Sequence, residues 1–360
     1  MKNCNVLIVN SDLTSNGGIA SVIKTYYNIY KTGNYPFNLY LLKTCYYKDK
    51  TLLFEFFILF TSIINYFKFL LFKQVKLVHI HSSAGVSFFR KSVFVIIGKL
   101  FNKRILFHIH ASRFYDFFIQ NNRFIKMYIN FILINCDEII VLCYDWEEKL
   151  KIHYPNIKVV VIANPISLEK NRQIKLIAKS DIFKILFVGF LIESKGIRDL
   201  MEVARKIKHD NFSDIIIQIA GKGDLEPFII EYIEKEHLHN VVDYLGWISG
   251  KEKELIYLNS DVFVLPSYKE GMPISILEAM SYGLPVISTK ISGIPELISE
   301  NINGYLFSPG DVDTLYEKII YLKSDQTKIE EMSTQNLIKV GEFSAENIFQ
   351  KVVGKYYEYL

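Results

Sequence analysis

Between Val262 and Gly283 the chain reads as a strand, a loop and a short helix in immediate succession. The run Val262 to Pro266 is apolar, and Glu270-Gly271-Met272-Pro273 breaks it. Pro273 suits the first position of a helix and Gly283 the residue just past its end, so the spacing predicts a helix over Ile274 to Tyr282. A strand feeding a helix through a short loop is the building unit of a doubly wound parallel sheet. Glu270 falls in the loop, and Glu278, eight residues on, inside the helix. The free amides and positive dipole end of a helix N-terminus make an anion site in front of Gly271, Met272, Pro273, Ile274 and Ser275. A phosphate suits that site, and the two carboxylates suit sugar hydroxyls beside it.

The same alternation recurs along the whole chain. In the first half the apolar run Asn5 to Asn10 leads through Asn16-Gly17-Gly18 into a helical pattern over Ala20 to Tyr30. Lys76 to His81, Arg104 to His110, Glu138 to Cys143 and Val159 to Ile162 read as further strands, the last followed by the turn Ala163-Asn164-Pro165. The second half restarts with Phe183 to Val188. A helix follows from Gly196 with Leu200, Val203 and Ala204 on one face, and Ile215 to Ala220, Val242 to Leu245 and Pro285 to Ser288 are strands. Ser344 is a good N-cap for a last helix through Tyr359. A length of 360 residues exceeds one ordinary core. The expected organisation is therefore two Rossmann-like domains, 1–168 and 169–343, with a terminal helix over 344–360 and a polar linker at Glu169 to Ser180.

Charge divides the chain unevenly. Residues 1–165 hold 20 Lys+Arg against 9 Asp+Glu, a net of +11, whereas 166–360 hold 22 against 29, a net of −7. Residues 56–115 contain nine Lys/Arg and no acidic residue, amid many Phe, Ile and Leu. Basic charge beside aromatics suits an anionic membrane better than nucleic acid, because no nucleic-acid-binding module is recognisable and the apolar content exceeds what phosphate binding needs. Leu52 to Phe72 has the length of a membrane span. Glu55, Thr61, Ser62, Asn65 and Lys68 interrupt it, which favours an amphipathic or buried helix.

Cys4, Cys45, Cys136 and Cys143 lack metal-like spacing, and no signal peptide precedes Val6, so the expectation is a reduced, cytoplasmic protein. His79, His81, His108 and His110 end two adjacent strands, an arrangement open to zinc. No carboxylate accompanies them, so no metal is expected.

Glu270 and Glu278, within EGMP, EAM, GLPVI and GIPELI, reproduce an E-x7-E signature. This segment resembles family 4 of the retaining, nucleotide-sugar-dependent glycosyltransferases, and the resemblance runs from about Val6 to the C-terminus. It implies the GT-B fold, with two Rossmann-like domains facing across a cleft and the C-terminal helix crossing back to the first. The first domain would bind acceptor, and the second the nucleotide sugar, UDP-linked by preference. The resemblance makes His110, Glu270 and Lys195 catalytic. It places Gly17, Gly18, Gly189, Lys195, Gly221, Trp247, Glu270, Gly271, Met272, Pro273, Ile274, Ser275 and Glu278 around the donor. No metal or other cofactor is implied. Family members carry Arg where this chain has Phe190, which removes one of two cations that clamp the diphosphate and leaves Lys195. The implied setting is bacterial surface-polysaccharide assembly, with a saccharide or lipid-linked acceptor at the inner face of the cell membrane. A non-catalytic sugar-nucleotide-binding subunit, a phosphorylase and a sugar-nucleotide epimerase are the alternatives.

Overall fold

Every described strand in the computed structural model pairs in parallel, and within each sheet a helix joins one strand to the next. The structure describes residues 4–10, 13, 17–44, 52–111, 113–168 and 181–360. Asn16, Cys45 and the expected linker Glu169 to Ser180 lie outside the described residues. In chain order the elements are β1 (Cys4–Asn10), α1 (Gly18–Thr32), β2 (Phe37–Lys43), α2 (Leu52–Phe72), β3 (Val75–Ser82), α3 (Val86–Leu100), β4 (Arg104–Ile109), α4 (Arg123–Ile134), β5 (Glu138–Val141), α5 (Tyr144–His153) and β6 (Val159–Val161). Next come β7 (Phe183–Val188), α6 (Ile197–His209), β8 (Ile215–Ala220), α7 (Glu226–Lys235), β9 (Val242–Gly246), α8 (Gly250–Leu258), β10 (Val262–Leu265) and α9 (Ile274–Ser281). The chain ends with β11 (Val286–Thr289), α10 (Ile294–Leu297), β12 (Gly304–Phe307), α11 (Val312–Ser324), α12 (Gln326–Lys339) and α13 (Ala345–Tyr359).

These elements form two compact units, Met1–Ser167 with Ser344–Leu360, and Leu168–Phe343. The first holds a six-stranded sheet in the order β2-β1-β3-β4-β5-β6. Its central strands are buried on both faces because helices cover them; Val6 to Val9 and Ile105 to Phe107 are fully buried, and so are the polar His79, His81 and His108. The terminal helix belongs to this unit. Ser344 caps it by accepting from the Asn347 amide, Ala345 N donates to Ile166 O at 2.8 Å, and Lys355 Nζ lies 3.1 Å from Glu138 Oε1.

The second unit has the order β12-β11-β10-β7-β8-β9. Its first strand, β7, lies between β8 and β10, so chain direction reverses there. Ligands of doubly wound sheets gather at the carboxyl ends of strands around such a reversal, and the loops leaving β7 and β10 meet at it.

Two local readings are refined. Pro273 precedes the helix instead of opening it. Its φ of −70° and ψ of 122° are extended, so it is the N-cap of α9. Gly283 follows the helix with φ +73°, a left-handed conformation suited to glycine. The edge strand β2 and helices α3, α4 and α5 have no counterpart in the sequence reading. A π-helical turn at Tyr115–Ile119 is likewise new.

Candidate active site

In the second unit the β7 and β10 loops bring Lys195 to Glu270. Gly196 adopts φ +70°, and a Cβ there would lie 1.9 Å from the Pro266 carbonyl oxygen. Only glycine lets the two loops approach so closely. Tyr268 N donates to Ser194 O at 2.9 Å and closes the junction. The Lys195 ammonium donates to Glu270 Oε1, which also accepts from Ser267 Oγ at 2.9 Å. Glu270 is 6% exposed. A buried carboxylate needs such partners, and Lys195 supplies both charge and donor.

Glu270 stands just before the N-terminus of α9. The Gly271 carbonyl is tied to Gly293 N at 3.0 Å, and Thr289 Oγ1 donates to Ser267 O at 2.6 Å, so the loop is braced from β11 and the turn after it. One turn inside α9, Glu278 accepts from Lys253 Nζ at 2.7 Å through Oε1 and from Tyr257 OH at 3.0 Å through Oε2. Both partners come from α8, at i and i+4 on one face. Tyr257 is buried, and burial together with the Glu278 charge pushes its phenol well above the ordinary value. It therefore remains a donor at neutral pH. The sequence alone marks none of Lys253, Tyr257 and Ser267 as a site residue, although it predicts a helix over Lys253 to Leu258.

The loops after β7, β8 and β9 are stitched by Gly189 N to Ala220 O at 3.1 Å and Gly221 N to Gly246 O at 2.8 Å. A Cβ on Gly221 would meet Gly189 O at 1.9 Å, which makes Gly221 a point of close backbone approach. On this stitched edge Phe190 and Trp247 pair, ring centroids 6.1 Å apart, both part-exposed. Two residues singled out separately in the sequence thus form one aromatic surface.

In the first unit, Gly17 is the N-cap of α1 and Gly18 its first residue. His110 follows β4, its amide donating to Ser82 O at 2.8 Å. The alternation of a strand places His79 and His81 on one face of β3, with His108 and His110 on the same face of β4. Nδ1 of His81 lies 3.0 Å from His110 Nε2, and His79 Nδ1 lies 2.7 Å from the Tyr356 hydroxyl of α13. Burial lowers all four imidazoles, with His79 and His110 brought to about 3. All four are neutral at pH 7. The ligating atoms of His79, His81 and His108 lie within 4.8 Å of one another, a spacing open to a metal ion. The set carries no carboxylate, however, and the ammonium of buried Lys91 bears on His81, so a divalent cation there would lack compensating charge.

Two doubly wound units, the second with a lysine–glutamate pair at its topological reversal and a second glutamate in the following helix, define a GT-B-type sugar transferase. The chain belongs to the family Glycosyl transferases group 1, which matches residues 168–339. It is a glycosyltransferase. A 41.2 kDa protein of the cps region of Klebsiella pneumoniae is 30% identical over 262 residues, 69% of this chain and 70% of that one. The UDP-Gal:alpha-D-GlcNAc-diphosphoundecaprenol alpha-1,3-galactosyltransferase of Escherichia coli is 26% identical over 280 residues, 74% of this chain and 70% of that one. Among solved structures, sucrose-phosphate synthase from Thermosynechococcus elongatus superposes with a TM-score of 0.81 at 17% identity, covering 98% of both chains, which is a likeness of fold.

Proposed function

We propose that this chain transfers a sugar from a UDP-linked donor, with retention of anomeric configuration, to a saccharide or lipid-linked acceptor in bacterial surface-polysaccharide assembly. The observation that carries the reading is the Lys195–Glu270 pair ahead of α9. In the transfer the bond from the anomeric carbon to the diphosphate oxygen breaks, and a bond to the acceptor oxygen forms. Positive charge builds on the sugar ring and negative charge on the departing diphosphate. Lys195 and the first amides of α9 answer the second charge. Glu270 holds donor-sugar hydroxyls, Glu278 the ribose hydroxyls, and His110 the sugar. Gly17, Gly18, Gly189, Gly221 and Trp247 line the donor. The acceptor proton passes to the leaving diphosphate, so no protein nucleophile and no metal is needed.

The cps-region relative and the galactosyltransferase that uses UDP-Gal and a diphosphoundecaprenol acceptor support the UDP donor, the lipid-linked acceptor and the pathway class. The test is a thermal-shift panel of UDP-, GDP- and ADP-sugars, since a ligand of the folded state raises its melting temperature. Stabilisation by UDP-sugars above the others is the expected result. Stabilisation by another nucleotide alone would overturn the UDP assignment.

A further inference from the structure

Helices α2, α3 and α4 join β2 to β3, β3 to β4 and β4 to β5, all progressing the same way across the first sheet. Right-handed crossovers place such helices in one layer on one face of the sheet, and α2 touches α3 while α3 touches α4. α1, whose connection runs the opposite way, packs with α13 on the other face. The inner side of the layer is ordinary core, with Ile58, Tyr66, Phe88, Phe94, Ile129 and Leu133 buried.

The outer side is not ordinary. Phe56, Phe57 and Phe60 are more than 60% exposed on α2, Phe124 is 82% exposed on α4, and Met127 and Phe89 continue the surface. Monomer surfaces scatter single apolar side chains; they rarely gather them across three consecutive helices. These six lie in the first halves of their helices, at the edge where strands end and His81 and His110 sit.

Charge selects the occupant. Helices α2, α3 and α4 hold one acidic residue, Glu55, paired with Arg90 at 3.5 Å; Arg123 is exposed next to Phe124, Lys68 and Lys73 are exposed towards the far end of α2, and Arg113 is paired with Asp116 at 3.8 Å. Protein interface cores are depleted of charge, and their rims mix both signs. Bulky apolar side chains with one-signed basic charge suit acyl chains beneath anionic headgroups. Phe54–Phe72 is long and apolar enough to cross a bilayer, but it packs through Ile58, Tyr66 and Leu70 and contacts β2, β3 and α3. The geometry is that of a helix lying on a surface.

We infer that the α2–α4 layer docks on an anionic phospholipid bilayer. This does not depend on the sugar-transfer reading. It is tested by flotation of the full chain with vesicles of phosphatidylcholine alone and with about 30 mol% phosphatidylglycerol, at low and at about 0.5 M salt. Binding at least about tenfold stronger to the anionic vesicles, weakened by salt, is expected. The combined variant Phe57→Ser, Phe60→Ser and Phe124→Ser should lose that binding by about tenfold or more while retaining its circular dichroism spectrum, because all three side chains are exposed. Wild-type protein that ignores anionic vesicles overturns the inference. So does a concentration-dependent dimer abolished by the same substitutions, which would assign the face to a second copy. UDP-sugar binding by the variant, followed calorimetrically, separates failure of docking from failure of the donor site.

Discussion

Glu278 Oε1 in α9 lies 2.7 Å from Lys253 Nζ in α8, and Tyr257 OH approaches the other oxygen at 3.0 Å. The carboxylate is thereby fixed in orientation before any ligand arrives, which removes an ordering cost from binding. Replacement by alanine should weaken donor binding about 10- to 100-fold by calorimetry, the worth of hydrogen bonds to a charged group. Lys253→Met should have a smaller effect of the same sign. Unchanged affinity in Glu278→Ala would remove its assignment to the ribose.

Lys195 is the cation paired with Glu270. Lys195→Met should lower kcat/KM about 10²- to 10³-fold, the loss typical when a donor to developing negative charge is removed. Part of any stability change belongs to the buried carboxylate left behind. A Lys195→Met, Glu270→Gln double variant should therefore recover melting temperature without recovering activity.

Gly196 allows that pair to form. Gly196→Ala places a methyl 1.9 Å from Pro266 O in a backbone at φ +70°. A destabilisation of about 2 kcal/mol or more is expected in denaturant titration, with donor binding lost alongside. Gly341→Ala, where nothing lies within 4 Å of the added Cβ, is the control.

The histidine group of the first unit predicts acid sensitivity. Each folded-state pKa lies below the ordinary 6.5, with burial the leading cause. Below pH 6.5 the unfolded chain binds protons that the folded chain refuses, so stability is lost as pH falls from 6.5 towards 3. Each histidine contributes a slope of about 1.4 kcal/mol per pH unit in that window. Lys91 adds a like charge facing His81. Denaturant midpoints should drop steeply between pH 6.5 and 5 and stay level from 7 to 8.

Much of this architecture is legible in the chain. Strands such as Ile215 to Ala220 and Phe183 to Val188 are short apolar runs closed by glycine turns, and their bounds agree with the structure. The strand β2, FNLYLLK, escapes because no glycine turn follows it and only Phe37, Leu39 and Leu42 are buried, a pattern of neither strict alternation nor full burial. Helix α3 escapes because SFFRKSVFVIIGKL is apolar on both sides, which blurs its period. Glu270 and Glu278 are visible as a motif, but their partners are tertiary: Lys195 is 75 residues from Glu270, and Lys253 is 25 from Glu278. The His79–Tyr356 contact spans 277 residues, and no local pattern announces it.

Phe190 supplies no charge beside Trp247 on the stitched edge of the second unit. Phe190→Arg should tighten UDP binding about tenfold, the value of one charge-assisted contact to phosphate. Trp247 reports the binding directly, because the chain's other tryptophan, Trp146, is buried in the first unit.

Transfer from a nucleoside-diphosphate sugar must release the nucleoside diphosphate, and that release can be measured. Purified protein is incubated with a UDP-sugar, with and without a polyprenyl-diphosphate saccharide, and free UDP and the product's anomeric configuration are measured. The expected result is UDP release that requires the acceptor and is lost in Lys195→Met, with a product that has the donor's anomeric configuration. Folded protein that releases no nucleoside diphosphate from any UDP-, GDP- or ADP-sugar, or that inverts the anomeric centre, would contradict it.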